Sequence, residues 1–352
     1  MKMRTLSRQR GVAVVTALLL TTLAITIVAS LFWQQQVQVR SIENQRLQMQ
    51  KQWILRGAID YARLILMADR TPNSDGLDEP WAVPLAETRL DDYVENGRSG
   101  SDVPDAVLSG AIEDAQGRFN LAGICCINNR PNEAKVKAFG RLLSALQLNA
   151  SLAQATANYL LSAQAAGNTI DSSTLGAGGG TSTTSPNAGG GSTGTNPAGG
   201  TQTNPGAQVA STAAQRTLSL VHVDDLLAVP GFTPEILEKL RPYLIVLEDA
   251  TPININTASE EVIYAVIDTL SISDARAIVM ARRNASFRSI NDPALTGILG
   301  QRTIGSAANV ATGYFLINGK VRLNRAGMQM QALIKRELGS QSRSQVIWIR
   351  EF

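Results

Sequence analysis

From Val12 to Trp33 the chain holds 22 consecutive residues with no charge, no proline and no glycine. As a helix this run spans about 33 Å at roughly 1.5 Å per residue, enough to cross a bilayer core. A short basic leader precedes it and ends in Gly11. The segment after Trp33 does not read as a loop. Residues 34–68, QQQVQVRSIENQRLQMQKQWILRGAIDYARLILMA, contain no proline and one glycine. The helix is expected to run on to about Ala68, with 12–33 in the membrane and 34–68 as an amphipathic stem. Such a helix suits a subunit of a helical assembly better than a simple anchor.

The formal net charge of +3 misleads, because Lys2, Arg4, Arg8 and Arg10 all precede Gly11 with no acid among them. Without those four cations the side chains sum to −1. A chain near neutrality offers no electrostatic case for nucleic acid. The leader cations do orient the span: the positive end stays in the cytoplasm and everything after Trp33 lies outside it. Three readings of this terminus compete. A cleaved secretory signal could use the small residues Val28-Ala29-Ser30, but the apolar run is long for a signal core. An uncleaved signal anchor is the plain reading. The third is a leader cut just after Gly11, favoured by the glycine at the charge-to-apolar boundary and by the continuous stem.

This terminus resembles the class III leader of pilins and pseudopilins. The resemblance makes Gly11 the residue before the cut and Val12 the first mature, N-methylated residue. Two positions depart from the pattern: Val12 stands where the family has Phe or Met, and Thr16 where most members have Glu. A carboxylate at that depth costs about 2.5–3.5 kcal/mol on insertion scales. It is tolerated where it pairs with a neighbour's α-amine. Thr16 cannot form that pair, though its hydroxyl can bond a carbonyl one turn back. Among pseudopilins the missing carboxylate resembles one member, type II secretion protein K.

Beyond the stem, DRTPNSDGLDEPWAVP breaks the helix with Pro72, Gly76, Pro80 and Pro84. Trp81 and Pro84 resemble a family W-x-x-P element, and physically Trp81 reads as the cap of a core edge. In residues 109–124, Ile112, Phe119 and Leu121 can pack on one side, with Asp114 to Gly117 as a hairpin turn. The same stretch resembles a protein K signature carried by Ile112, Asp114, Gly117, Arg118, Asn120 and Leu121. Residues 132–166 read as two helices, one burying Val136, Phe139, Leu142, Leu143 and Leu146, the other Leu152, Ala155, Tyr159 and Leu160. Residues 176–210 are Gly, Ser, Thr, Asn and Pro with almost nothing to bury, a flexible loop without the GxxxxGK[ST] spacing of a phosphate loop.

Residues 222–247 and 253–285 each read as a helical hairpin. In the first, Asp224 or Asp225 caps a short helix, Pro230-Gly231 turns, and Thr233 caps a helix opening on Pro234. In the second, Thr257 caps one helix, with Glu260 completing a capping box, and Ser273 caps the next. The pair resembles the sterile-alpha-motif-like units of protein K, and ININTASEEVI, with Asn254, Asn256, Thr257 and Ala258, is its most family-like string. In GYFLINGKVRLN, Asn318-Gly319 is the strongest short hairpin signal in the chain. Two further strand-like runs complete an antiparallel sheet.

The expected fold is α+β: a long N-terminal membrane and stem helix, a pilin-like antiparallel sheet, and a large inserted α-domain with helical-hairpin units. Its parts are the leader 1–11, the transmembrane part 12–33, the stem 34–68, the sheet domain 69–126 with 313–352, and the insertion 127–312 containing the loop 176–210. The resemblance implies a minor pseudopilin that caps the pseudopilus tip and helps start its assembly, with other minor pseudopilins, a prepilin peptidase and the inner membrane as partners and the C-terminal part in the periplasm. It also allows calcium in the α-domain, although no EF-hand spacing occurs.

Two other functions compete with this one. ININTASEEVI also resembles exported helix-hairpin-helix DNA-binding modules. Those grip phosphate at Gly-rich hairpins, yet only Gly231 serves the first hairpin and SIS, residues 271–273, the second. Arg282, Arg283 and Arg288 form a small basic cluster that surface charge explains. For an enzyme, the lone His222 has no nucleophile assigned to it, and the Asp224-Asp225 and Glu248-Asp249 pairs carry no motif. Cys125 and Cys126 are the only cysteines. They are either two reduced, buried thiols or a strained bond between neighbours about 3.8 Å apart at Cα.

Overall fold

The computed structural model describes residues 10–69, 71–89, 106–125, 130–174, 220–323, 326–337 and 343–352. The expected loop at 176–210 and most of the leader lie outside them. In chain order the elements are α1 (Arg10–Met67), β1 (Leu85–Arg89), β2 (Ala106–Asp114), β3 (Phe119–Asn120), α2 (Glu133–Ala145), α3 (Ser151–Thr174), α4 (Pro234–Leu240), β4 (Leu244–Ile245) and β5 (Ile253–Asn254). There follow α5 (Glu260–Val266), α6 (Ile272–Asn284), α7 (Pro293–Leu299), β6 (Ala308–Asn309), β7 (Tyr314–Leu323), β8 (Ala326–Glu337) and β9 (Arg343–Glu351). The chain divides into two units, Met1–Ala115 with Thr312–Phe352, and Gln116–Ala311.

The first unit is one antiparallel sheet of order β1-β2-β7-β8-β9 with the lower half of α1 laid on it. The stem owes its place to periodicity: Leu55, Ile59, Ala62 and Leu66 recur at three- and four-residue spacing and are all buried. They meet every second residue of the central strands: Phe315, Ile317 and Val321 of β7, and Met328, Met330, Ala332 and Ile334 of β8. Each of the larger side chains among them contributes roughly 1.5–3 kcal/mol by leaving water. Trp81 closes the cluster, edge-on to Phe315 with centroids 5.3 Å apart, and its Nε1 donates to Glu79 Oε2 at 2.8 Å. Arg63 donates to the Ser344 carbonyl and hydroxyl, and Gln52 to Glu351, tying α1 to β9.

Asn318-Gly319 is not a turn. Strand β7 runs straight through it, paired with β2 on one side and β8 on the other, and the reversal falls between Leu323 and Ala326. The glycine serves close packing instead. A Cβ on Gly319 would sit 3.4 Å from Leu55 Cδ2 and from Met330 Cε, so the stem crosses the sheet there. Its cross-strand partner Gly110 has no room either, since a Cβ would lie 2.7 Å from the Asn318 carbonyl. Asn318 works across the strands, donating to Glu113 and accepting from Gln331, both at 2.9 Å.

A second hairpin expectation also gives way. Residues 115–117 form a single 3-10 turn, and β3 pairs in parallel with β4 rather than folding back on β2. Phe119, Leu121 and Ile124 are therefore buried in the helical unit, while Ile112 packs with the sheet core, so the three apolar residues do not share a side. The seam accordingly falls at Ala115, not at 126.

The helical unit has its own core. Phe119 stacks on Phe139 with centroids 5.6 Å apart, amid Leu142, Leu143, Leu226, Ile263 and Ile278. On α3 the buried face is Leu152, Ala153, Thr156 and Ala157, with Ala155, Tyr159 and Leu160 half-buried. Thr233 caps α4 as expected. The other caps sit elsewhere. His222, not an aspartate, occupies the cap of the 3-10 helix Val223–Ala228, and Asp225 closes the box by accepting from the His222 N–H at 2.7 Å. Ser259 caps α5 and Ser271 caps α6. Thr257 is unavailable because its hydroxyl donates to the Asn254 carbonyl, inside the tight turn after β5.

Arg336, near the end of β8, fastens the segment after the stem. Its guanidinium bonds Asp69 at 2.7 Å and both Asp75 oxygens at 2.6 and 2.7 Å, donates to the Thr312 carbonyl, and lies over the Phe315 ring. Asp75 also accepts from Thr312 N–H and is fully buried. Removing one member of a buried pair strands the other charge, at about 3–5 kcal/mol. Arg336→Met is expected to lose that much unfolding free energy in denaturant titrations of the detergent-solubilised chain, and Asp75→Asn made with it should recover part. A single-variant loss under about 1 kcal/mol would put the cluster with ordinary surface pairs.

Candidate functional site

The upper stem is the most exposed apolar surface of the described residues. Every side chain from Ala13 to Arg46 is open, including Leu18, Leu23, Ile27, Leu31 and Trp33, the last 73 % exposed. Among the described residues this is the one helix long and apolar enough to cross a membrane. After Arg10 the next charge is Arg40. Thr16 donates to the Ala13 carbonyl at 3.0 Å, and Thr21, Thr22 and Thr26 make the same bond three residues back. Each hydroxyl is thus satisfied within its own helix, which lets it lie in hydrocarbon without a partner subunit. Gly11 and Val12 lie in the first turns of α1, their side chains outside the described residues.

The signature residues fall into two groups. Ile112 and Asp114 belong to the sheet unit, Ile112 packed with its core and Asp114 buried at the end of β2 opposite Phe315. The others meet in the helical unit. A Cβ on Gly117 would lie 2.9 Å from Thr257 Oγ1, so the two family strings touch where only glycine fits. Asn120, buried, donates to the Asp249 carbonyl at 2.7 Å and accepts from Leu247 and Ala122 N–H. Asn256, also buried, donates to the Phe287 and Val310 carbonyls and accepts from Phe287 N–H. Asn254 turns the chain by accepting from Asn256 N–H at 3.0 Å, and Ala258 is fully buried beside it. These side chains hold loops together and present no reactive group.

The rival chemistries find little. Arg282 donates to the Ile255 carbonyl, and burial lowers its pKa to about 10, so it is a charged structural donor rather than a free cation. Arg283 and Arg288 stay exposed. His222 is used as a cap, and Asp224 pairs with Arg241 at 2.6 Å. Cys125 is disulfide-bonded and half-buried, not a buried thiol, and Cys126 is the chain's only other cysteine. Among the described residues one group of carboxylates, Asp69, Asp75 and Glu79, has oxygens within 4.8 Å of one another. It belongs to the sheet unit, and its cation is Arg336. The helical unit offers calcium no such group among the described residues. Sequence reasoning missed this cluster, since Arg336 is more than 260 residues from Asp75.

Residues 253–312, from β5 through α7 and β6, match the family described as type II secretion system protein K. Over 93 % of its length the chain is 27 % identical to the type II secretion system protein K of Pseudomonas aeruginosa, covering 87 % of that protein. In fold it is similar to a chain in the crystal structure of the GspK-GspI-GspJ complex from the enterotoxigenic Escherichia coli type 2 secretion system. The TM-score is 0.58, with 19 % identity over 88 % of this chain and 98 % of that one.

The asparagine bonds generate a test. Asn256→Ala would remove its bonds with Phe287 N–H and with the Phe287 and Val310 carbonyls from a buried position, at about 0.5–1.5 kcal/mol per bond. The variant is expected to lower the melting temperature of the helical unit by several degrees, while Asn284→Ala, on an exposed position, leaves it unchanged.

Proposed function

We infer that this chain is a minor pseudopilin of a type II secretion system, a relative of protein K in sequence and in fold. The observation that carries the reading is the unbroken helix α1. Its upper part is apolar and uncovered, and its lower part is packed on an antiparallel sheet. A stem so exposed must be covered by lipid and then by other stems. The solved relative is a complex of GspK with GspI and GspJ, and other minor pseudopilins are the partners proposed here.

The basic leader keeps the N-terminus in the cytoplasm and puts both folded units in the periplasm, with α1 in the inner membrane. A prepilin peptidase cuts after Gly11 and methylates the Val12 amine. The role is structural, and no catalysis is assigned. Thr16 supplies no carboxylate for a neighbour's α-amine, so this subunit needs none above it. With the bulk of the helical unit, that favours the pseudopilus tip, where the chain caps the filament and helps start assembly for export across the outer membrane.

Mass spectrometry of membrane-derived protein should give a peptide beginning at N-methylated Val12. A peptide starting at Met1 would leave an anchored protein, and one near Leu31 a soluble exported one. Thr16→Glu should weaken tip placement and secretion. Unaltered secretion would mean the missing carboxylate does not set position.

A further inference from the structure

Beyond the membrane span the stem carries two apolar faces, and the sheet covers one of them. Leu55, Ile59, Ala62 and Leu66 are buried on the sheet. About half a turn away stand Met49, Trp53, Gly57, Leu64 and Met67, all exposed, Trp53 by 70 % and Leu64 by 62 %. Towards the membrane the same row continues through Arg46, Ile42 and Val39 at three- and four-residue steps. A helix covered on one side needs one apolar stripe, and a second stripe marks a second covering. Lipid cannot supply it. Met49 lies about 24 Å past Trp33 along the helix, beyond the headgroups, and Leu64 lies farther still.

Gly57 points the same way. It sits in a helix interior, where glycine destabilises relative to alanine, and a Cβ there would meet nothing within 4 Å. The packing of the described residues gives this glycine no use, whereas a second helix lying close against the row does. Charge decides which helix. Residues 34–67 hold the cations Arg40, Arg46, Lys51, Arg56 and Arg63 against the acids Glu43 and Asp60. Asp60 is taken by Arg63 at 3.1 Å, and Arg46, within the row, pairs with no acid among the described residues. A parallel second copy would set Arg46 against Arg46, which repulsion opposes.

Resting on the pseudopilin reading above, we propose that the row from Val39 to Met67 seats the stem of a second, different subunit: a parallel helix with an apolar seam, a net negative charge and a carboxylate facing Arg46. The two helices run parallel because both are rooted in the same membrane, and they approach most closely at Gly57. Thr16 cannot select a partner by charge inside the membrane, and Arg46 makes that selection outside it.

The test places the photo-crosslinker p-benzoylphenylalanine at Trp53 or at Leu64 of the full chain, in cells that make the secretion system. Irradiation should join it to a peptide just beyond the membrane span of a different anchored chain, one richer there in acids than in bases. At Gln45, exposed but off the row, the yield should be much lower. Gly57→Leu should abolish the adduct and leave the melting temperature in detergent unchanged or raised, so misfolding cannot explain the loss. Arg46→Glu should weaken the adduct and Arg46→Lys keep most of it. No adduct overturns the seat, as does one with lipid alone, with a second copy of this chain or with a soluble protein. So does an adduct that survives Gly57→Leu. The same digest yields the first peptide of the chain. If it begins at Val12 and no adduct forms, the seat fails and the pseudopilin reading stands. If it begins at Met1 or near Leu31, that reading fails whatever the cross-link.

Discussion

The crossing of α1 over Gly319 is the contact on which the rest of the sheet unit depends. Gly319 lets the helix lie close enough for Leu55 to pack against the central strand, while Gly110 opposite it fits against the Asn318 carbonyl. From that point the helical repeat brings Ile59, Ala62 and Leu66 onto β7 and β8 in turn. Arg336 then secures the far end, bonding the residue two past the helix and the loop beyond it. Between these two fixings the stem is held along four turns, while the part nearer the N-terminus is left uncovered by the described residues.

Much of this was legible from residue spacing. The apolar run and the long helix, the stripe on α2, the Thr233 cap and the C-terminal strands all follow from local patterns. The errors share a cause. Asn318-Gly319 has the composition of a turn, but its glycine answers to a helix more than 260 residues earlier in the chain. Nothing beside it in sequence announces that. At 257–259 and 271–273, two hydroxyl residues stood within reach of each helix start. Which one capped was decided by tertiary use: the Thr257 hydroxyl was committed to the Asn254 carbonyl, and Ser259 took the helix. The Arg336 cluster left no local trace, because an ion pair between distant residues has no spacing to read.

The signature residues show why a family string need not be a reactive site. Asn120 and Asn256 each bond several backbone groups of the loops around them. An amide is suited to this because it both donates and accepts from one rigid plane. Hydrophobic replacement would keep the volume and strand the loops. Asn120 and Asn256 thus serve the folding of the helical unit.

The place of the insertion has a kinetic consequence. The helical unit leaves the sheet after β2 and returns at β7, and these strands are immediate neighbours, Asp114 opposite Phe315. Pairing them from an unfolded chain means closing a loop that contains all of Gln116–Ala311, at an entropic cost on the order of 5 kcal/mol. A helical unit that has already condensed shortens that loop to little more than the gap between its own ends. The order of events is then set by topology. Folding the interruption first would lower the cost of bringing together the strands on either side of it, which then offer the stem a surface to lie on.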